Sequence, residues 1–142
     1  MENEYKIWLD RAKSSLKVSK IKKDEDIFYE DLCFQAQQAV EKALKGFLIF
    51  YKIEPEKTHN LVTLIKELSK YTDVPEEINE TAILNDYAIQ TRYPGDYTPI
   101  NEDEYNNAIM ITEKCIKWVD KKIKELVKRT GDEKNQPNLN SL

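Results

Sequence analysis

Four residues whose types could bind a ligand stand within the seven-residue segment Thr91–Tyr97, TRYPGDY. Arg92 offers a planar guanidinium fork that matches the oxygens of a phosphate or carboxylate. Tyr93 and Tyr97 flank it with flat faces on which a base could stack. Asp96 could pair with Arg92 and orient it, or simply close the turn, and Arg92 could itself serve as a cation at a helix C-terminus. His59 is the sole histidine. Its unperturbed pKa near 6.5 suits a general base, while its place between Thr58 and Asn60 equally suits a hydrogen-bonding role at a helix start. Glu41 and Lys45 have the favourable i, i+4 order of a structural pair on an exposed helix.

Metal chemistry has little to work with. One histidine and two cysteines without a Cys-x-x-Cys pair make no zinc set, so neither a metal nor a cofactor is expected. Cys33 and Cys115 fall inside expected helices and read as small buried hydrophobes rather than as a disulfide. The net charge of -4 and a pI near 5.2 exclude a protein that coats nucleic acid by bulk charge. The first residues, MENEYKIW, have no signal-peptide core, and no apolar run reaches the ~18 residues of a membrane span. A cytoplasmic protein is expected.

Helices must position these residues. The chain has 142 residues, of which 40% are hydrophobic, 34% charged and only 3 glycine, a helical rather than a sheet composition. The stretch Tyr29–Tyr51 places Leu32, Ala36, Ala39, Val40, Ala43, Leu44, Phe47, Phe50 and Tyr51 on one broad half of a helix. Gln35, Gln38, Glu41, Lys42 and Lys45 fall on the other half. This is the pattern of a central helix, begun at Asp24 or Asp26 and ended before Pro55. Phe34 and Ile49 break it by falling on the polar half, where they could form a second packing surface for another helix or another subunit.

A first helix is expected over Glu2–Ser19, with Tyr5, Trp8, Leu9, Ala12 and Leu16 on one face. A third, capped by Thr58 or Asn60, carries Leu61, Leu64, Ile65 and Leu68. Asp73-Val74-Pro75 reads as the start of a fourth, running from Pro75 to about Gln90. Pro94-Gly95 suits the centre of a type II turn. Asn101 with Glu104 then has capping-box spacing and opens a fifth helix reaching Lys128. The expected fold class is all-α, a single-domain up-and-down bundle of four to five helices over residues 1–128. The polar tail, 129–142, is expected to be disordered.

Taken together, AQQAVEKALKGFLI, THNL at Thr58–Leu61, TRYPGDY and the helix opening EDEYNNAI resemble, in their order and spacing, the HEPN domain, the higher-eukaryote and prokaryote nucleotide-binding family. The resemblance spans about Tyr5–Val127. It implies a helical bundle, usually homodimeric, that often pairs with a small nucleotidyltransferase, frequently as a toxin–antitoxin module. It also implies that nuclease members carry an arginine and a histidine with four to six residues between them. Here Arg92 is followed at that distance by Tyr97, Thr98 and Pro99, and Ile53 and Glu54 stand where an arginine would precede His59. The expectation is a non-catalytic binding protein for a nucleotide, an RNA or a nucleotidyltransferase, with Arg92, Tyr93, Asp96, Tyr97 and His59 as ligand candidates and Phe34 and Ile49 as interface candidates. Two alternatives stand beside it. One is an atypical metal-independent ribonuclease using Arg92 with Tyr97, Asp96 or His59. The other is an interaction scaffold without a small ligand.

Overall fold

A computed structural model of the chain describes residues 3–89, 95 and 98–130. Within these the protein is an all-α single domain without strands. Its elements are α1 (Glu4–Ser19), α2 (Tyr29–Phe50), α3 (Leu61–Leu68), α4 (Glu76–Asn79), a 3₁₀ helix (Glu80–Ala88) and α5 (Glu102–Arg129). Of the expected polar tail, Arg129 ends α5 and Thr130 caps it, while residues 131–142, like Arg92, Tyr93, Asp96 and Tyr97, lie outside the described residues.

Helix α2 is the centre of the bundle, as its apolar width requires. Ala36, Ala39, Val40, Ala43, Leu44, Phe47, Leu48 and Phe50 are all inaccessible to solvent. Each larger side chain among them contributes about 1.5–3 kcal/mol by leaving water. At its C-terminal end Phe47 stacks on Tyr51 with ring centroids 5.3 Å apart and meets Trp118 of α5 at 5.4 Å. Tyr5 of α1 reaches Phe50 edge-on at 5.1 Å. Lys13 pairs with Asp120 and Lys20 with Glu113, so α5 runs antiparallel to α1 and in the same direction as α2.

Helices α1 and α2 approach closely at Gly46. A Cβ there would lie 3.0 Å from Trp8 Cβ, 3.2 Å from Leu9 Cδ2 and 3.4 Å from the Tyr5 carbonyl. The missing side chain is what lets α1 lie this low on α2.

Three expectations are corrected. Helix α2 starts at Tyr29, with Phe28 at its N-cap, rather than at Asp24 or Asp26. Asp24 instead accepts from the Asp26 amide at 2.8 Å, closing a local turn that competes with helix. The long fourth helix is only one turn of α-helix, Glu76–Asn79, capped at Pro75 rather than Asp73 and continued as 3₁₀. The buried residues explain the change. Ile78, Thr81 and Leu84 recur every three positions, the period of a 3₁₀ helix, while Ile83 and Ile89 of the expected face are exposed. Thr81 Oγ1 also donates back to the Ile78 carbonyl at 2.6 Å. Finally, Glu41 is not on a solvated face: it is buried, as is Gln37 beside it.

The remaining caps follow the sequence. Asn60 Oδ1 accepts from the Val62 amide at 3.0 Å, while Thr58 Oγ1 accepts from the Asn60 amide at 3.1 Å. Asn101 Oδ1 accepts from the Glu104 amide at 2.8 Å. Among the described residues no helix is long and apolar enough to cross a membrane.

Candidate functional site

Gln37, Glu41 and Lys45 stand four residues apart and therefore share one face of α2. The segment that leaves α2 folds back across this face and brings His59 onto it. His59 Nδ1 lies 2.9 Å from Glu41 Oε1. Gln37 Nε2 donates to the same oxygen at 3.2 Å and to the His59 carbonyl at 3.1 Å. Lys45 Nζ donates to Glu41 Oε2 at 3.0 Å. The Gln38 amide in turn donates to Gln37 Oε1 at 2.8 Å.

The cluster is graded from inside to outside. The Glu41 and Lys45 side chains are 6% and 12% exposed, whereas His59 is 74% exposed. Burial pushes the Glu41 carboxyl up, but hydrogen bonds from His59, Lys45 and Gln37 outweigh it and hold the group below its ordinary value. It is an anion at neutral pH. An ionised carboxylate can only accept, so the hydrogen on Nδ1 points at Glu41 and Nε2 of the neutral ring keeps its lone pair. Chemically the arrangement can accept a proton at Nε2 or hold a ligand donor there. It also ties the start of α3 to the middle of α2.

The 3₁₀ helix that leads into the segment with the other candidates is bonded to the residues next to His59: Asn85 Oδ1 accepts from the Leu61 amide at 2.8 Å, and Asn85 Nδ2 donates to Asn60 Oδ1 at 3.1 Å. Tyr87 OH donates to Glu104, and the Ile100 amide donates to Glu30 Oε2 at 2.8 Å. Tyr29 and Tyr105 stack beneath with centroids 4.9 Å apart. Gly95 has φ +93°, the positive angle that the third position of a type II turn demands. Glu30, which holds this stem, and Glu41, which holds His59, are eleven positions apart on α2, about 16 Å of helix rise.

Of the two interface candidates, Phe34 is half-buried on α2. Ile49 is half-buried too, packed partly against the core and partly along a groove beside α1. Sequence reasoning missed Gln37 altogether and took Glu41–Lys45 for an exposed pair. The visible signal was the Gln37, Glu41, Lys45 spacing, which marks a polar stripe along a helix that is otherwise apolar. Among the described residues no cluster of three or more His, Cys, Asp or Glu could hold a metal ion.

A model of the HEPN domain family matches residues 5–124 of this chain. The fold is similar to the crystal structure of TT1696 from Thermus thermophilus, with a TM-score of 0.73 and 30% sequence identity over 86% of this chain and 99% of that one. It is also similar to ST0689, an archaeal HEPN homologue, with a TM-score of 0.64 and 29% identity over 83% of this chain and 96% of the other. No protein with a curated description matches.

Proposed function

The chain belongs to the HEPN family, and from that premise we propose that it acts by binding, taking a nucleotide-type ligand or a nucleotidyltransferase subunit rather than cleaving RNA. The observation that carries this reading is the spacing of its two chemical groups in the sequence. In sequence, no histidine follows Arg92 and no arginine precedes His59 at nuclease spacing. Arg92 with Tyr93 and Tyr97 would hold a phosphate and a stacked base. Homodimerisation, with Phe34 and Ile49 at a subunit or partner contact, belongs to the same proposal, as does a role within a toxin–antitoxin pair.

A second reading has one observation in its favour. A buried carboxylate on Nδ1 with Nε2 left open is the orientation a general base needs, and an atypical ribonuclease would use it. Incubating the full chain with RNA in the absence of divalent metal separates the two. No cleavage is expected, together with a thermal shift from at least one nucleotide that Arg92→Ala removes. Cleavage abolished by Arg92→Ala or His59→Ala would establish the ribonuclease instead. No cleavage and no shift with any nucleotide would leave the protein-binding role alone.

A further inference from the structure

A groove of about 790 Å³ runs between the first turns of α1, the last turns of α2 and the segment 53–57. This is within the ~300–1,000 Å³ of a small-molecule site. Its floor is apolar and half-buried: Trp8 from α1, Ile49 from α2, and Ile53 and Pro55 from the segment that follows. Lys45 forms part of the wall. Its ammonium has three donors, and Glu41 takes one of them. This ammonium, 12% exposed, keeps two donors for an anionic acceptor that enters the groove. The rim sets the limit on charge. Glu4, Glu54 and Glu56 are exposed around the mouth and outnumber Lys52 and Lys57, and Glu41 already neutralises much of Lys45.

We propose that this groove is a binding site for a small apolar molecule carrying a single carboxylate, its body on Trp8, Ile49 and Ile53 and its carboxylate on Lys45. One negative charge meets Lys45, and a second would face the rim glutamates, so polyphosphates are excluded. A cation would meet the rim but place its apolar body against a buried ammonium. The proposal does not rest on the Arg92 loop, and it stands whether or not that loop takes a nucleotide.

Octanoate is the probe, with octylamine, inorganic phosphate and ADP as controls. Binding to the unsubstituted chain is measured by calorimetry and located by the emission of Trp8 in Trp118→Phe, which leaves Trp8 as the single indole. Octanoate is expected to bind and shift the Trp8 emission, while the three controls leave that emission unchanged. Lys45→Met should weaken octanoate about tenfold. The exposed rim pair Glu54→Gln with Glu56→Gln, which carries no folding risk, should tighten it. The proposal is overturned if octanoate does not bind, if octylamine or ADP shifts Trp8 as strongly, or if the rim pair leaves octanoate affinity unchanged. ADP binding that Arg92→Ala removes without moving Trp8 would report on the loop alone.

Discussion

His59 Nδ1 and Glu41 Oε1 lie 2.9 Å apart across 18 residues of sequence, and the two partners contribute to stability very unequally. Glu41 is buried and also neutralises Lys45, so Glu41→Gln leaves a withdrawn ammonium without its counter-charge. That loss should cost about 3 kcal/mol in urea denaturation at pH 7. His59 is mostly in water, and His59→Ala should cost less than about 1 kcal/mol. Comparable losses from the two substitutions would show that the imidazole, and not the lysine, is the main partner of the carboxylate.

The same carboxylate makes stability pH-dependent with a definite sign. The folded value of Glu41 lies below its ordinary one, so the folded state favours the deprotonated form. Its contribution is complete above the unfolded carboxylate value of about 4.3 and is lost as pH falls through the lower folded value. Urea midpoints measured from pH 6 downward should therefore fall in this acid window, roughly below pH 4, and Glu41→Gln should flatten that fall. An unchanged acid slope in the variant would assign the acid sensitivity to other groups.

Gly46 gives a test of the α1–α2 approach. Alanine in place of glycine favours an isolated helix by about 1 kcal/mol. Here, however, the added Cβ meets Trp8 Cβ at 3.0 Å and the Tyr5 carbonyl at 3.4 Å, both close to the α1 backbone and unable to swing away. Gly46→Ala should thus lower stability by a net ~1–2 kcal/mol, within the usual range for overpacking. A gain in thermal midpoint would mean that α1 shifts on α2 without penalty.

The parts of this fold that can be read in the sequence are those in which burial follows a helical period. In α5, the pattern places Tyr105, Ala108, Ile109, Thr112, Cys115, Ile116, Val119, Ile123 and Leu126 inside, and all are buried except Tyr105, which is half-buried. The same holds for Leu61, Leu64, Ile65 and Leu68 of α3. Periodicity fails where the helix itself changes pitch: Ile83 and Ile89 fit a 3.6-residue face but not the 3₁₀ spacing of Ile78, Thr81 and Leu84. It fails again at Glu41, because the solvent side of α2 is covered by a segment 18 residues away. His59 is conspicuous by type, yet nothing local could name its partner. The loop that carries the densest chemical pattern is described only at Gly95 among Arg92 to Tyr97.

Both cysteines should be inert as thiols. Burial, above all, pushes Cys33 and Cys115 up to about 12, and both are inaccessible in the core. A thiol reagent at pH 8 should label neither until the protein unfolds, because only the thiolate reacts. Rapid labelling of one cysteine in native buffer would mean that its helix opens locally.

Lys52 ends α2 in a left-handed conformation, φ 64°, which is unusual for a residue with a side chain. The geometry around it is a Schellman turn, with the Ile53 amide donating to the Leu48 carbonyl at 3.0 Å and the Lys52 amide to Ile49 at 2.8 Å. Glycine takes this angle without strain, while an L-residue there costs about 1–2 kcal/mol. Against that, glycine gives the unfolded chain more freedom, worth about 0.4–1 kcal/mol. Lys52→Gly should therefore raise stability by roughly 0.5–1 kcal/mol, a small upward shift of the melting midpoint. A loss instead of a gain would show that the Lys52 side chain contributes more along the groove than its backbone strain costs.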